Sequence, residues 1–242
     1  MAEPVVILGG FLSYDLLYAA MAEALETISG AEVVIVETRS LDWLGAALPL
    51  GWRPLLDKLH RAVQAATSTS PTGKVTLVAH SAGGVLSRIY LSPQPFLGKA
   101  YSGLDTVSQV ITLGSPHDGG GKLIYGGVMS RWANRRYPGA YFDERVSYVS
   151  VAGSSLCGNL QGSRRERQAY RLYKDMIGEG EVCGDGVVPV PSAVLPGSHV
   201  LVLPGVGHFS GFGPTWYGDE NVVRRWWEEA SKVRPQAPAT AS

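Results

Sequence analysis

Cysteine is scarce: the chain holds two, Cys157 and Cys183, too few for a disulfide framework or a zinc site. Free buried thiols are the expectation for a reducing compartment, with pairing across the segment between them as the alternative. An excess of charge of either sign is also missing. Lys plus Arg and Asp plus Glu number 21 each among 242 residues, which leaves no basic field to hold nucleic acid or an anionic membrane. No apolar run approaches the length that spans a bilayer, and the opening Met1-Ala-Glu-Pro-Val-Val-Ile-Leu lacks the basic start of a secretory signal. A cytoplasmic protein is expected. No Pro/Gly/Ser-rich linker separates two comparable halves, so residues 1–233 read as one domain and 234–242, which lack core-forming side chains, as a disordered tail.

What is present is a repeating alternation. Pro4 to Leu8, Glu32 to Glu37, Val75 to Val78, Val107 to Leu113, Val146 to Val151 and His199 to Leu203 are short runs rich in β-branched residues. They lack clean polar alternation, and helical patterns separate them, which predicts an α/β fold: a mostly parallel sheet of about six strands with helices on both faces. Leu16, Leu17, Ala20, Leu25 and Ile28 supply the stripe of the first helix, and Pro54 opens another that runs to about Ala66. Residues 39–53 are too apolar for an ordinary solvated loop. Residues 121–142 and 154–184 break the rhythm and are candidates for a small lid or cap; ordinary crossover helices are the competing reading.

Sheets of this kind bind ligands at the carboxyl ends of their strands. There the chain places Ala79-His80-Ser81-Ala82-Gly83-Gly84, between a strand and a helix. A serine lifted on such a sharp turn needs small neighbours two residues to either side, and Ala79 and Gly83 satisfy that. A serine hydroxyl becomes a nucleophile only when a base takes its proton and an acid orients the base. Of the five histidines, His60 lies within a helix and His199 at the amino end of a strand, while His80 sits in the turn itself and points away from the hydroxyl. His117 and His208 follow strands on the correct side. Chain order Ser, acid, His selects His208 and asks for an acid before it. Asp185, flanked by glycines in Cys-Gly-Asp-Gly, fits better than Asp118, Asp105 or Asp143. Two N–H donors for an oxyanion come from Ala82, which starts the helix, and Phe11, in the loop after the first strand.

With these residues in place the chain resembles α/β-hydrolases of the lipase/esterase group along nearly its whole length. Gly9-Gly10-Phe11 is similar to the His-Gly-X oxyanion segment of lipases, with Gly9 where His is usual. Leu113-Gly-Ser-Pro-His117 is similar to a lipase segment whose histidine is mostly structural, which demotes His117. Gly184-Asp-Gly-Val-Val-Pro resembles the segment that carries the acid. Asp42-Trp43, Ser87-Arg-Ile-Tyr-Leu91, Gly184 to Val190 and Trp216-Tyr-Gly218 together resemble the inositol-deacylase-like lipases of cyanobacteria and plastids.

The residues and the resemblance together imply a serine hydrolase cleaving carboxylic esters through Ser81, His208 and Asp185, with no metal or organic cofactor. A thioesterase or an acyltransferase would use the same groups, and a binding module that kept the fold is the reading from another class. The apolar loops imply a hydrophobic small-molecule ester, contacts from Leu12, Trp43 and Trp132, and transient contact with a membrane or lipid surface.

Overall fold

The structure is a computed structural model and describes residues 2–11, 13–119 and 127–235. Six parallel strands form the central sheet: β1 (Val5–Leu8), β2 (Val33–Ile35), β3 (Val75–His80), β4 (Val107–Leu113), β5 (Ser147–Ser154) and, after two short strands, β8 (His199–Pro204), in the order β2-β1-β3-β4-β5-β8. Successive side chains along a strand go to opposite faces. In β1, Val6 and Leu8 join one core, with α2 (Trp52–Thr69), α3 (Ala82–Leu91) and α4 (Gly127–Arg136). Val5 and Ile7 join the other, with α1 (Ala19–Ser29) and α7 (Glu220–Ala230). Over β1, β3 and β5 both faces are covered, which is why these strands lack clean polar alternation, while β8 at the sheet edge leaves Val200 and Val202 exposed.

Helix α2 shows the packing logic. Leu55, Leu56, Leu59, Val63 and Ala66 recur at helical spacing, and all are buried. Burying side chains of the Leu or Val size stabilises by about 1.5–3 kcal/mol each. The first helix departs from its predicted stripe. Asp15–Tyr18 is a tight 3-10 turn, and only from Ala19 does an α-helix begin. The change of pitch rotates the face, so Met21, Ala22, Ala24 and Leu25 are buried while Leu16 is exposed. Gly30 ends α1 at φ 66°, a conformation that glycine adopts without strain.

Residues 40–47 and 49–51 form 3-10 helices before α2. Of the segment 121–142, residues 127–136 are α4, which packs on α3 and buries Met129 and Ala133; residues 120–126 lie outside the described residues. Arg88 of α3 donates to the Tyr137 carbonyl at 2.6 Å and ties the two together.

The 154–184 segment forms a small antiparallel pair, β6 (Leu156–Cys157) and β7 (Cys183–Gly184), with α5 (Arg164–Ile177) between them. Cys157 and Cys183 lie opposite each other and are disulfide-bonded, which corrects the expectation of free thiols. Their pairing follows from the strand register, which brings distant positions face to face. A cytoplasmic location would require this link to persist against cytosolic thiols. Short α6 (Val190–Ala193) precedes β8, and β9 (Val206–Gly207) with β10 (Thr215–Trp216) closes the carboxyl edge. Among the described residues no helix is long and apolar enough to cross a membrane. Of the tail, residues 236–242 lie outside the described residues.

Candidate active site

Ser81 stands between β3 and α3 at φ 55°, ψ −129°. A non-glycine residue there is strained, and the strain is held by its surroundings. Its N–H bonds the Leu113 carbonyl at 2.9 Å. The turn also explains the small residues. A Cβ at Gly83 would collide with the Gly9 carbonyl, and one at Gly10 would fall 2.5 Å from the Ser81 Cβ. The loop after β1 therefore presses directly against the serine.

Two further loops converge on the same point. His208 follows β9, and its Nε2 lies 3.0 Å from Ser81 Oγ. Its Nδ1 lies 2.7 Å from Asp185 Oδ2. With a carboxylate on the Nδ1 side, the N–H resides there and Nε2 is left to accept the serine hydroxyl proton. Asp185 follows β7 and is buried, with each oxygen engaged. Oδ1 accepts the N–H groups of Val187 at 3.0 Å and Val188 at 2.7 Å. Oδ2 accepts His208 and the Tyr217 hydroxyl, the latter at 2.9 Å. The backbone joins in: the His208 N–H bonds the Asp185 carbonyl at 2.8 Å.

Tyr217 is a residue of this site that the sequence reading left without a role. Its hydroxyl donates to Asp185 and accepts the Gly153 N–H at 2.7 Å. Burial, and then the neighbouring Asp185 charge, push its pKa well above the ordinary phenol value, so it stays a donor. The only signal was the segment Trp216-Tyr217-Gly218, whose resemblance carried no assignment.

The other histidines are occupied elsewhere. His80 is fully buried and bonds Tyr18 through Nδ1 at 2.9 Å and the His208 carbonyl through Nε2 at 3.1 Å. Burial chiefly, and the neighbouring His208, hold its pKa well below the usual range. His117 is buried against Thr112, 3.2 Å from its hydroxyl, and burial followed by the Arg88 charge depresses its pKa. His60 meets Tyr90, and His199 begins β8 at the far end of the sheet.

The predicted substrate contacts fare differently. Trp43 is fully buried in the core beside α2. Trp132 packs edge-on to Trp52 and Phe96, with the Arg136 guanidinium 4.2 Å from its ring centre. Among the described residues neither shares a hydrogen bond or ring contact with Ser81, His208 or Asp185. Trp43 is a core aromatic and Trp132 is half-buried against the same core; their spacing alone does not separate packing from binding. Leu12 lies outside the described residues. Phe11 follows β1 and is 44% exposed, and Ala82 opens α3.

A cleft of about 230 Å³ adjoins the acid and base loops, bordered by Leu156, Arg165, Gln168, Gly186, Gly211 and Phe212. A roomier groove of about 470 Å³ lies at the opposite end of the strands, by Glu3, Lys74, Ser108 and Arg145, remote from Ser81. Among the described residues no group of three or more His, Cys, Asp or Glu side chains is placed to hold a metal ion.

No family model matches the chain, and no curated protein matches it. Solved structures do. The mature lipase BlEst2 of Bacillus licheniformis is 21% identical with a TM-score of 0.56, over 94% of this chain and 91% of that one. The phospholipase PlaB of Legionella pneumophila is 15% identical with a TM-score of 0.66, over 97% of this chain and 61% of that one. MGS-MChE2, an α/β-hydrolase enzyme from a sediment metagenome of the Mar Chica lagoon, is 15% identical with a TM-score of 0.53, over 96% and 93%. Identities this low carry the architecture alone, and with the six-stranded parallel sheet they identify it: the chain has the α/β-hydrolase fold.

Proposed function

We propose that the chain is a serine hydrolase that cleaves carboxylic esters, with Ser81 as nucleophile, His208 as base and then acid, and Asp185 as the group that orients and charge-compensates His208. One observation carries the reading: Ser81 Oγ, His208 Nε2 and Nδ1, and Asp185 Oδ2 form an unbroken chain with links of 3.0 and 2.7 Å. His208 takes the hydroxyl proton as Oγ attacks the ester carbonyl. The oxyanion falls to the N–H of Ala82, a helix-terminal donor without an intrahelical partner, and to that of Phe11. Each such donor is worth about 2.7–4 kcal/mol in the transition state. Collapse expels the alcohol, which takes the proton back from His208. Water then enters and repeats the sequence on the acyl-enzyme.

The substrate we infer is a hydrophobic, lipid-like ester. What supports this is a strip after β2 where Leu41, Leu44, Leu48 and Leu50 stand exposed while Trp43, Ala46 and Trp52 turn inward. An apolar surface of that kind suits transient contact with a lipid surface. The narrower resemblance, to the inositol-deacylase-like lipases of cyanobacteria and plastids, belongs to the same proposal and brings no substrate of its own. The balanced charge leaves nucleic acid out of the reading.

The test is fluorophosphonate labelling of wild type, Ser81→Ala and His208→Ala, with the labelled peptide mapped by mass spectrometry. The adduct is expected on Ser81 only and to depend on His208. Ser81→Ala is expected to fold normally and lose esterase activity by about 10⁴-fold or more. A folded Ser81→Ala protein with retained activity would sink the assignment.

A further inference from the structure

The residue before the proposed nucleophile does something that neither the fold nor the proposed triad requires. His80 is wholly buried, ringed by Tyr18, His208, Phe209, Trp216 and Tyr217. Its Nε2 lies 3.1 Å from the backbone carbonyl of His208. A carbonyl only accepts, so the proton must sit on Nε2. Nδ1 is then a bare acceptor, and the Tyr18 hydroxyl 2.9 Å away must be its donor. With its single proton spent, the Tyr18 oxygen accepts the Gly10 N–H at 3.2 Å. The directions of all three bonds are thereby fixed.

The far end of this chain is the loop that holds Phe11. Gly10 is clamped on both sides: its N–H by Tyr18, its carbonyl by the Ser13 N–H at 3.1 Å and the Ser13 hydroxyl at 2.7 Å. A planar trans peptide points its C=O and the following N–H in opposite directions. Holding the Gly10 carbonyl against Ser13 therefore aims the Phe11 N–H the other way.

We propose that Tyr18 and His80 are positioning residues, a directed hydrogen-bond relay that locks the oxyanion-donor loop after β1 to the backbone of the base, so that Phe11 N–H and His208 keep a fixed mutual geometry about Ser81. The inference rests on the hydrolase reading above. Burial serves the relay in two ways. It holds His80 neutral, well below its usual pKa, and pushes the Tyr18 pKa up to about 12, so that both groups keep their required protons. A neutral His80 also avoids a second cation beside His208, whose ring centre is 4.6 Å away.

Tyr18→Phe, His80→Gln and the double variant would be compared by turnover of a short-chain nitrophenyl ester, normalised to sites titrated with a fluorophosphonate. Each single variant is expected to lose about tenfold in kcat with KM held within about twofold, because misplaced groups cost most in the transition state. The double variant is expected to lose no more than about the larger single loss, since links of one relay break once. His80→Gln, whose side-chain amide can still donate to the His208 carbonyl, should retain more turnover than His80→Leu. Single variants with wild-type kcat, or losses that multiply in the double variant, would overturn the relay. A reading without variants or turnover comes from long-range ¹H–¹⁵N NMR of wild type: His80 should be the Nε2–H tautomer from about pH 6 to about pH 9. An Nδ1–H tautomer, or an imidazolium, overturns the relay even in a fully active enzyme. A Ser81 that takes no fluorophosphonate overturns the hydrolase reading instead, and the tautomer still decides the relay.

Discussion

Asp185 is the residue that best shows how the site is held. A buried carboxylate is costly unless donors surround it, and here the Val187, Val188, Tyr217 and His208 N–H or O–H groups all converge on it. Gly114 and Gly153 make room for that convergence: a Cβ on Gly114 would lie 2.5 Å from Asp185 Oδ2, and one on Gly153 2.9 Å from the Tyr217 hydroxyl. Tyr217→Phe keeps the ring and removes only the oxygen. It leaves the Gly153 N–H buried without its partner and Asp185 with one donor fewer, at a cost of about 1–3 kcal/mol. Calorimetry should show a lower Tm, and kcat/KM should fall by about three- to tenfold as Asp185 loosens its hold on His208. An unchanged Tm together with unchanged kcat/KM would mean that the hydroxyl is incidental to the site.

At the scale of elements, the sequence made the strands readable because both faces of β1, β3 and β4 are covered, so they lack clean polar alternation even where Thr76, Ser108, Gln109 and Thr112 interrupt the apolar residues. Ser81, Asp185 and His208 were readable because each stands at a recognisable place in the alternation, in one chain order. Tyr217 was not, since its meeting with Asp185 depends on how the turn after β10 folds back. Leu16 was misplaced because a 3-10 turn shifts helical phase, which periodicity alone does not reveal. The disulfide stood only as the alternative to free thiols for a similar reason. A separation of 26 residues is closed by the β6–β7 register, a tertiary fact. That link sits at the base of the α5 excursion, two residues ahead of Asp185. In the chain-entropy picture, closing a loop of about 25 residues stabilises by about 3.5 kcal/mol. Cys157→Ser with Cys183→Ser should therefore lower Tm by about 7–14 °C, and wild type in excess reductant should follow it. A double variant that melts with wild type would show that the link contributes nothing to stability.

For the whole molecule the notable contrast is between a net charge of zero and an apolar strip that the fold turns outward. Leu41 and Leu50 are each 73% exposed, Leu44 63% and Leu48 61%. Scattered apolar side chains on a surface need no explanation, but several on one short segment do. The segment is not loosely attached. Trp43, Ala46 and Trp52 anchor it in the core, and the Trp52 indole donates to the Ala46 carbonyl at 2.8 Å. A rigid strip of leucines with no net charge behind it should bind a lipid surface through apolar area, with little contribution from long-range attraction. Half-burying a leucine in the interface is worth about 1 kcal/mol. Leu44→Ser with Leu48→Ser should then weaken partitioning onto phosphatidylcholine vesicles by about 10- to 30-fold. Sedimentation with the vesicles measures this, and wild-type binding should change little with added salt. Both exchanged side chains face solvent, so Tm should stay close to wild type. Equal partitioning of variant and wild type, or binding that salt abolishes, would remove the strip from the account of how the protein meets its substrate.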